Sequence, residues 1–178
     1  MNIQPQYNVS SNQAKYLINV GLPLIDTYVN GKILIEGNRS WKKEVVIQNC
    51  IIDCFEGNVT TFEKPVKFIN THFKDCSFIF SFFLQGFTIE NCVFDKYLDF
   101  QAGGHNEIGH PIIIKNNSFL DFVNFFDCWY KGEVYIENNN FQKGTNIQSL
   151  EQYVTFDVPP IISGNIGSTS IESECLDQ

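Results

Sequence analysis

Apolar and polar residues alternate over short runs of this chain, and five of the runs end in the same way. VVIQNCII (45–52), VKFINTHF (66–73), FTIENCVF (87–94), IIIKNNSF (112–119) and VYIENNNF (134–141) each reach an asparagine and resume on an apolar residue three positions later. Alternation of period two marks a strand with one buried face. Asparagine tolerates the left-handed backbone region and hydrogen-bonds local backbone groups, so Asn49, Asn70, Asn91, Asn116 and Asn138 are read as turns. They stand 21, 21, 25 and 22 residues apart, and ILIEGN (33–38) and IISGN (161–165) flank the series with glycine at the turn. A repeat of this length that returns to one face is a solenoid coil, with strands of successive coils stacked in parallel about 4.8 Å apart. Stacking predicts a column of hydrogen-bonded asparagine amides, with Asn91 and Asn116 buried in it. It predicts a second, buried column of Ile52, Phe73, Phe94, Phe119 and Phe141.

These coils resemble right-handed parallel β-helices of the pectate-lyase-like type, which carry an asparagine ladder at a turn between two sheets. The resemblance covers about residues 45–149 and implies a fold, not an activity. A second set of residues points elsewhere. Phe68, Phe73, Phe78 and Phe83 recur every five residues, and DCSF and NCVF place a small residue two before the Phe, which resembles the pentapeptide-repeat proteins. Because the coils vary from 21 to 25 residues, the first resemblance is preferred. The expected fold class is all-β, a right-handed parallel β-helix solenoid of about six coils spanning 31–165. Residues 1–30 are read as an N-terminal cap segment and 166–178 as an acidic C-terminal tail. Within the cap, SSNQAKYLINV (10–20) opens on a serine suited to capping and sets Ala14, Leu17 and Ile18 at helical spacing.

Composition agrees with strands and narrows the partners. Seventeen of the 178 residues are Phe, flat side chains that pack well between sheets. The net charge of −8 argues against nucleic acid, which demands a basic patch, and suits a basic partner. The N-terminus shows no basic region followed by a long apolar run, so neither export nor a membrane span is expected and a cytoplasmic location is inferred. Cys50, Cys54, Cys76, Cys92, Cys128 and Cys175 lack zinc-site spacing and are read as reduced thiols packed as small apolar residues.

Candidate chemistry is sparse. QAGGHNEIGHP (101–111) is an excursion in the longest coil and holds His105, Glu107 and His110, groups able to bind metal or move protons. The order H-x-E-x-x-H is not the helical H-E-x-x-H of zinc enzymes, and no metal or other cofactor is expected. Asp53 and Asp95 share one column and Asp75 and Asp121 the next. Lys74, Lys96 and Lys143 interleave with them, as on a solvated, charge-balanced edge, and Asp99 and Asp127 lie nearby. Arg39 is the single arginine. FIFSFFL (78–84) and FVNFFDCWY (122–130) are apolar at consecutive positions, so Phe82, Phe83, Trp129 and Tyr130 are expected to face outward. The cover is either the N-terminal segment, a protein partner or a second copy, since aromatic residues are enriched at interfaces. The function expected is a non-enzymatic protein-binding β-helix, an inhibitor or immunity-type factor. A carbohydrate-active enzyme with paired carboxylates and a self-assembling structural solenoid are the alternatives.

Overall fold

A computed structural model describes residues 3–35, 40–149, 151 and 153–172; Arg39 and Cys175 lie outside them. The chain winds into a parallel β-solenoid of about seven turns, one more than expected, with one short helix near its start. Strand β1 (Tyr7–Ser10) leads into helix α1 (Ser11–Asn19), and β2 (Leu24–Ile25) and β3 (Thr27–Leu34) begin the first coil. Strand β2 and the first half of β3, up to residue 30, thus lie inside the segment read as a cap and belong to the sheets. At the other end Ile166 bridges Asn140, and Thr145 N–H donates to the Ser168 carbonyl, so the coil runs on through 172.

The helix forms where the sequence placed it. Ser10 accepts from the Gln13 backbone N–H, and the Gln13 side chain accepts from the Ser10 N–H, a reciprocal capping box. Its apolar stripe buries Ala14 and Ile18 at the end of the solenoid, against β1, β2 and β3. An edge that would otherwise expose unpaired strand groups is thereby covered.

Each coil has four sides. The first carries β2, Val45–Gln48, Val66–Ile69, Phe87–Glu90, Ile112–Lys115, Val134–Glu137 and Ile161–Ser163, paired in parallel in that order. The second carries His72–Phe73, Val93–Phe94, Ser118–Phe119 and Asn140–Phe141, and the third Cys76–Ser77, Leu98–Asp99 and Val123–Asn124. Both are joined through Ile51–Glu56 into one ten-stranded sheet with β1 and β3. The fourth holds Ser40–Trp41, Thr61–Phe62 and Phe82–Phe83, then, through Gly104, Trp129–Tyr130 and Thr155–Phe156. In the coil 66–86 the inward side chains fall in pairs five residues apart: Val66 and Phe68, Thr71 and Phe73, Cys76 and Phe78, Ser81 and Phe83, all buried.

The phenylalanine column exists as expected. Phe73, Phe94, Phe119 and Phe141 stack with ring centroids 5.0, 5.2 and 4.9 Å apart, and Ile52 is buried below them. A parallel column, Phe78, Phe100 and Phe125, stacks at 5.6 and 5.1 Å. Flat rings repeat at nearly the strand spacing, which is why phenylalanine fills this core so efficiently.

The asparagine ladder is displaced by one residue from the expected position. Asn49, Asn70, Asn91, Asn116 and Asn138 all adopt positive φ, between 48° and 58°, and Asn91 and Asn116 are exposed. A left-handed residue turns the chain through the corner, so the next residue, not the asparagine itself, points inward. Asn117 and Asn139 are buried there. Asn117 Nδ2 donates to Asn139 Oδ1 at 2.9 Å, and Asn139 Nδ2 to Asn165 Oδ1 at 3.0 Å. The same two acceptors take the backbone N–H groups of Asn117 and Asn139. In earlier coils Cys50, Thr71 and Cys92 fill the inward place. Of the outer column, Asn70 Nδ2 does reach Asn49 Oδ1 at 2.7 Å, and Asn49 Nδ2 reaches Asp26 at 3.0 Å.

Candidate functional site

A second corner, between the third and fourth sides, repeats the first. Val59, Phe80, Ala102, Asp127 and Tyr153 take positive φ of 52–56°. Each is followed by an inward residue, in turn Thr60, Ser81, Gly103, Cys128 and Val154. The Thr60, Ser81 and Cys128 side chains bond nearby carbonyls, just as Thr71 and Cys92 do at the first corner. The positive-φ residues themselves differ in kind. The first corner uses Asp, Asn and Gly, which tolerate left-handed geometry, whereas the second uses Val, Phe, Ala and Tyr beside a single Asp. Val59 is 55% exposed, Phe80 52% and Tyr153 68%.

This corner corrects two of the four expected outward aromatics. The turn at Phe80 or Asp127 resets the alternation, so Phe83 and Tyr130 point inward, 2% and 3% exposed. Phe83 stacks on Phe62 and Phe87, and Tyr130 on Phe156. Burial pushes the Tyr130 hydroxyl well above its ordinary pKa, with the Cys128 thiol adding to it. Phe82 and Trp129 do face out, and Trp129 is 42% exposed. The N-terminal segment, one of the three covers considered for them, packs at the axial end, with α1 on the first coil.

Between Phe82 and Trp129 the fourth side carries Gly104, at φ +97°, where a Cβ would stand 2.6 Å from the Trp129 carbonyl oxygen. Only glycine fits so tight an approach. The neighbouring His105 supplies the ring instead, 4.2 Å from Phe82 and 5.4 Å from Trp129 between centroids. Partial burial, then the nearby Lys131 charge, lower the His105 pKa and favour the neutral imidazole. Lys131 Nζ lies 4.8 Å from the Trp129 ring centroid, and Trp129 Nε1 donates to Asp157 at 2.9 Å. Three sequence candidates thus form one aromatic row, fixed at its rim by a cation and a carboxylate.

The other loop candidates do not join it. Glu107 is exposed, and the His110 carbonyl accepts from the buried Asn106 amide at 3.0 Å. Asn106 also donates to the Glu133 carbonyl at 3.1 Å, pinning the excursion to the next coil. Its Oδ1 is buried without a hydrogen-bond partner. Glu133 is lowered in pKa by hydrogen bonds from its own backbone and from Gly109, with His110 adding to this. Among the described residues no group of three or more His, Cys, Asp or Glu is placed to hold a metal ion.

The charge columns stand where the spacing put them. Lys74 bonds Asp53 at 2.6 Å, Lys96 bonds Asp75 at 2.9 Å and Lys143 bonds Asp121 at 3.0 Å. Burial works against the Asp53 carboxylate, but bonds from Lys74, the Gly31 N–H and Tyr28 overcome it and lower the pKa. On the cap, Val9, Asn12, Gln13, Tyr16 and Leu17 line an open depression of about 420 Å³ with no charged side chain. No helix among the described residues is long and apolar enough to cross a membrane. In comparisons with known proteins, no family model, curated protein or solved structure matches the chain.

Proposed function

We propose that this solenoid is a non-enzymatic binding protein whose fourth side docks another protein, in the manner of an inhibitor or immunity-type factor. The observation that carries the reading is the outward row Phe82–His105–Trp129, in which the His105 ring contacts both others, on a face with no covering segment among the described residues. Aromatic anchors held rigidly on a sheet are what protein interfaces use, because little side-chain freedom remains to be lost on binding. The carboxylate columns support the same reading. A general acid must hold its proton near neutral pH, whereas at Asp53 the effect of burial is outweighed by bonds from Lys74, the Gly31 N–H and Tyr28, which lower the pKa. Of the two resemblances, the four-sided coil with inward pairs every five residues supports the pentapeptide-repeat type. The free cysteines, four of them buried, support a reducing, cytoplasmic setting.

Affinity capture from the source cells tests this, using the wild type beside Trp129→Ala and Phe82→Ala. The wild type should retain a protein that both variants lose, while their melting curves stay close to wild type. If the variants capture it equally well, the aromatic row is not the interface.

A further inference from the structure

We infer that the second corner and the fourth side together form one docking strip for a short, basic segment of the partner with apolar anchors, laid along the solenoid axis. This inference rests on the binding reading above and specifies its partner. Two columns run side by side across five coils. One is Val59, Phe80, Ala102, Asp127 and Tyr153; the other, two residues on, is Thr61, Phe82, the His105 ring, Trp129 and Thr155. Phe126 extends the strip beside Tyr153, with ring centroids 6.1 Å apart.

The backbone makes this surface unusual. Bulky residues disfavour the left-handed region, and a β-branched residue such as Val59 does so most. Exposed apolar side chains gain little from burial in the free protein. At the first corner the same backbone carries asparagine. The apolar choice at the second is therefore explained by something that covers it.

Size and charge say what that something is. Four steps of about 4.8 Å make the strip about 19 Å long, and its width of a few residues leaves an area of only about 300 Å². A stable pair of globular surfaces needs about 800 Å² per partner, so neither a second copy nor a broad domain face fits. About six residues of extended chain span this length. The charge is one-sided. Residues 1–98 hold nine basic and nine acidic side chains, whereas 99–178 hold three basic and eleven acidic, so the whole net charge of −8 falls in the later part of the sequence. Asp127 stands within the strip and Asp157 at its rim. Lys131 over the Trp129 ring shows that this ring already holds an ammonium group in place.

The test uses two synthetic peptides of about six residues, alternating Leu-Lys and alternating Leu-Glu. The reporter is Trp129 emission, since the one other tryptophan, Trp41, is buried. The Leu-Lys peptide should give saturable binding that weakens with salt, and the Leu-Glu peptide should bind at least about tenfold more weakly. Phe80→Asn should weaken Leu-Lys binding by about tenfold without lowering the melting temperature. Leu-Lys binding that Phe80→Asn leaves unchanged is generic attraction to an acidic protein and overturns the inference. Equal binding of both peptides, or a dimer in sedimentation equilibrium that Phe80→Asn dissociates, also overturns it. If the Leu-Lys peptide fails while the wild type still captures a partner through Trp129, this inference falls and the binding reading stands. If capture fails as well, both fall.

Discussion

The two corners of each coil share a backbone and differ in what they display. Both place a residue at positive φ, and both follow it with an inward residue; Thr60 and Thr71 bond carbonyls of their own coil, and Cys92 and Cys128 bond carbonyls of the coil below. At the first corner the positive-φ residue is Asp26, five asparagines or Gly164, types suited to the backbone. At the second it is Val59, Phe80, Ala102, Asp127 or Tyr153. Stability alone would have selected the first set twice. The difference separates what the fold needs from what the surface is for.

The largest test concerns the inward ladder. Asn139→Ala would remove the side-chain acceptor of the Asn117 N–H and Nδ2 and a donor to the Ile114 carbonyl. Each such buried group costs about 1–3 kcal/mol, so a loss of about 3 kcal/mol is expected in chemical denaturation. A loss below about 1 kcal/mol would remove the ladder as a source of stability at the first corner.

A smaller, two-way test exchanges the corners. Asn91→Phe should destabilise by about 1 kcal/mol and Phe80→Asn should stabilise by about the same, moving the melting temperature about 2–4 °C in opposite directions. Equal signs in the two variants would show that the corners are not equivalent backbones.

The inward thiols sharpen the comparison further. Burial pushes Cys92 at the first corner and Cys128 at the second each to about 12, and Cys50 to about 11. A thiol that rarely ionises and lies inside the core reacts only when the coil opens. Pulsed alkylation of the native protein should modify half-buried Cys54 before Cys92 and Cys128, with the last two protected to similar degrees. Early labelling of Cys128 alone would mean that the second corner opens independently of the first.

The smallest effect is set by pH. His105 has a lowered pKa when folded, so unfolded chains bind its proton more readily. Stability from this group is present above the ordinary histidine value and is lost as pH falls through that value towards the folded one. His105→Gln should lessen the drop in melting temperature between about pH 7 and pH 5. An unchanged drop would show that the ring is solvated, not packed between Phe82 and Trp129.

Much of this was legible in the chain. Alternation located the strands of the first side, the 21–25-residue spacing gave the coil, and the Phe73–Phe94–Phe119–Phe141 stack followed from both. Ser10, Ala14 and Ile18 were enough for the helix. Alternation alone places the ladder one residue early because a left-handed turn hides its phase; Asn116 and Asn117 look alike until the backbone shows which one faces in. The second corner went unseen because Phe80 and Val59 carry no turn signal. Its trace was the five-residue rhythm, with Cys76 two before Phe78 and Ser81 two before Phe83. Counted that way, Phe83 goes inside and Phe82 stays out. The cluster of Phe82, His105 and Trp129 could not be assembled from sequence, because it depends on Gly104 leaving a gap that the next side chain fills.

The excursion pinned by Asn106 has a consequence for how such a chain can change length. Asn91 and Asn116 remain axial neighbours although 25 residues separate them, as do Ala102 and Asp127. Register is thus kept at the corners, and extra residues between Gly104 and Pro111 are expelled sideways without displacing either column. Ile108 at the tip is 75% exposed, and Gly109 beside it has nothing within 4 Å of where a side chain would begin. That tip is an open port for insertion. A short peptide spliced there would ride next to the aromatic row, so the reach of the surface could be lengthened or retargeted while every buried residue stays where it is.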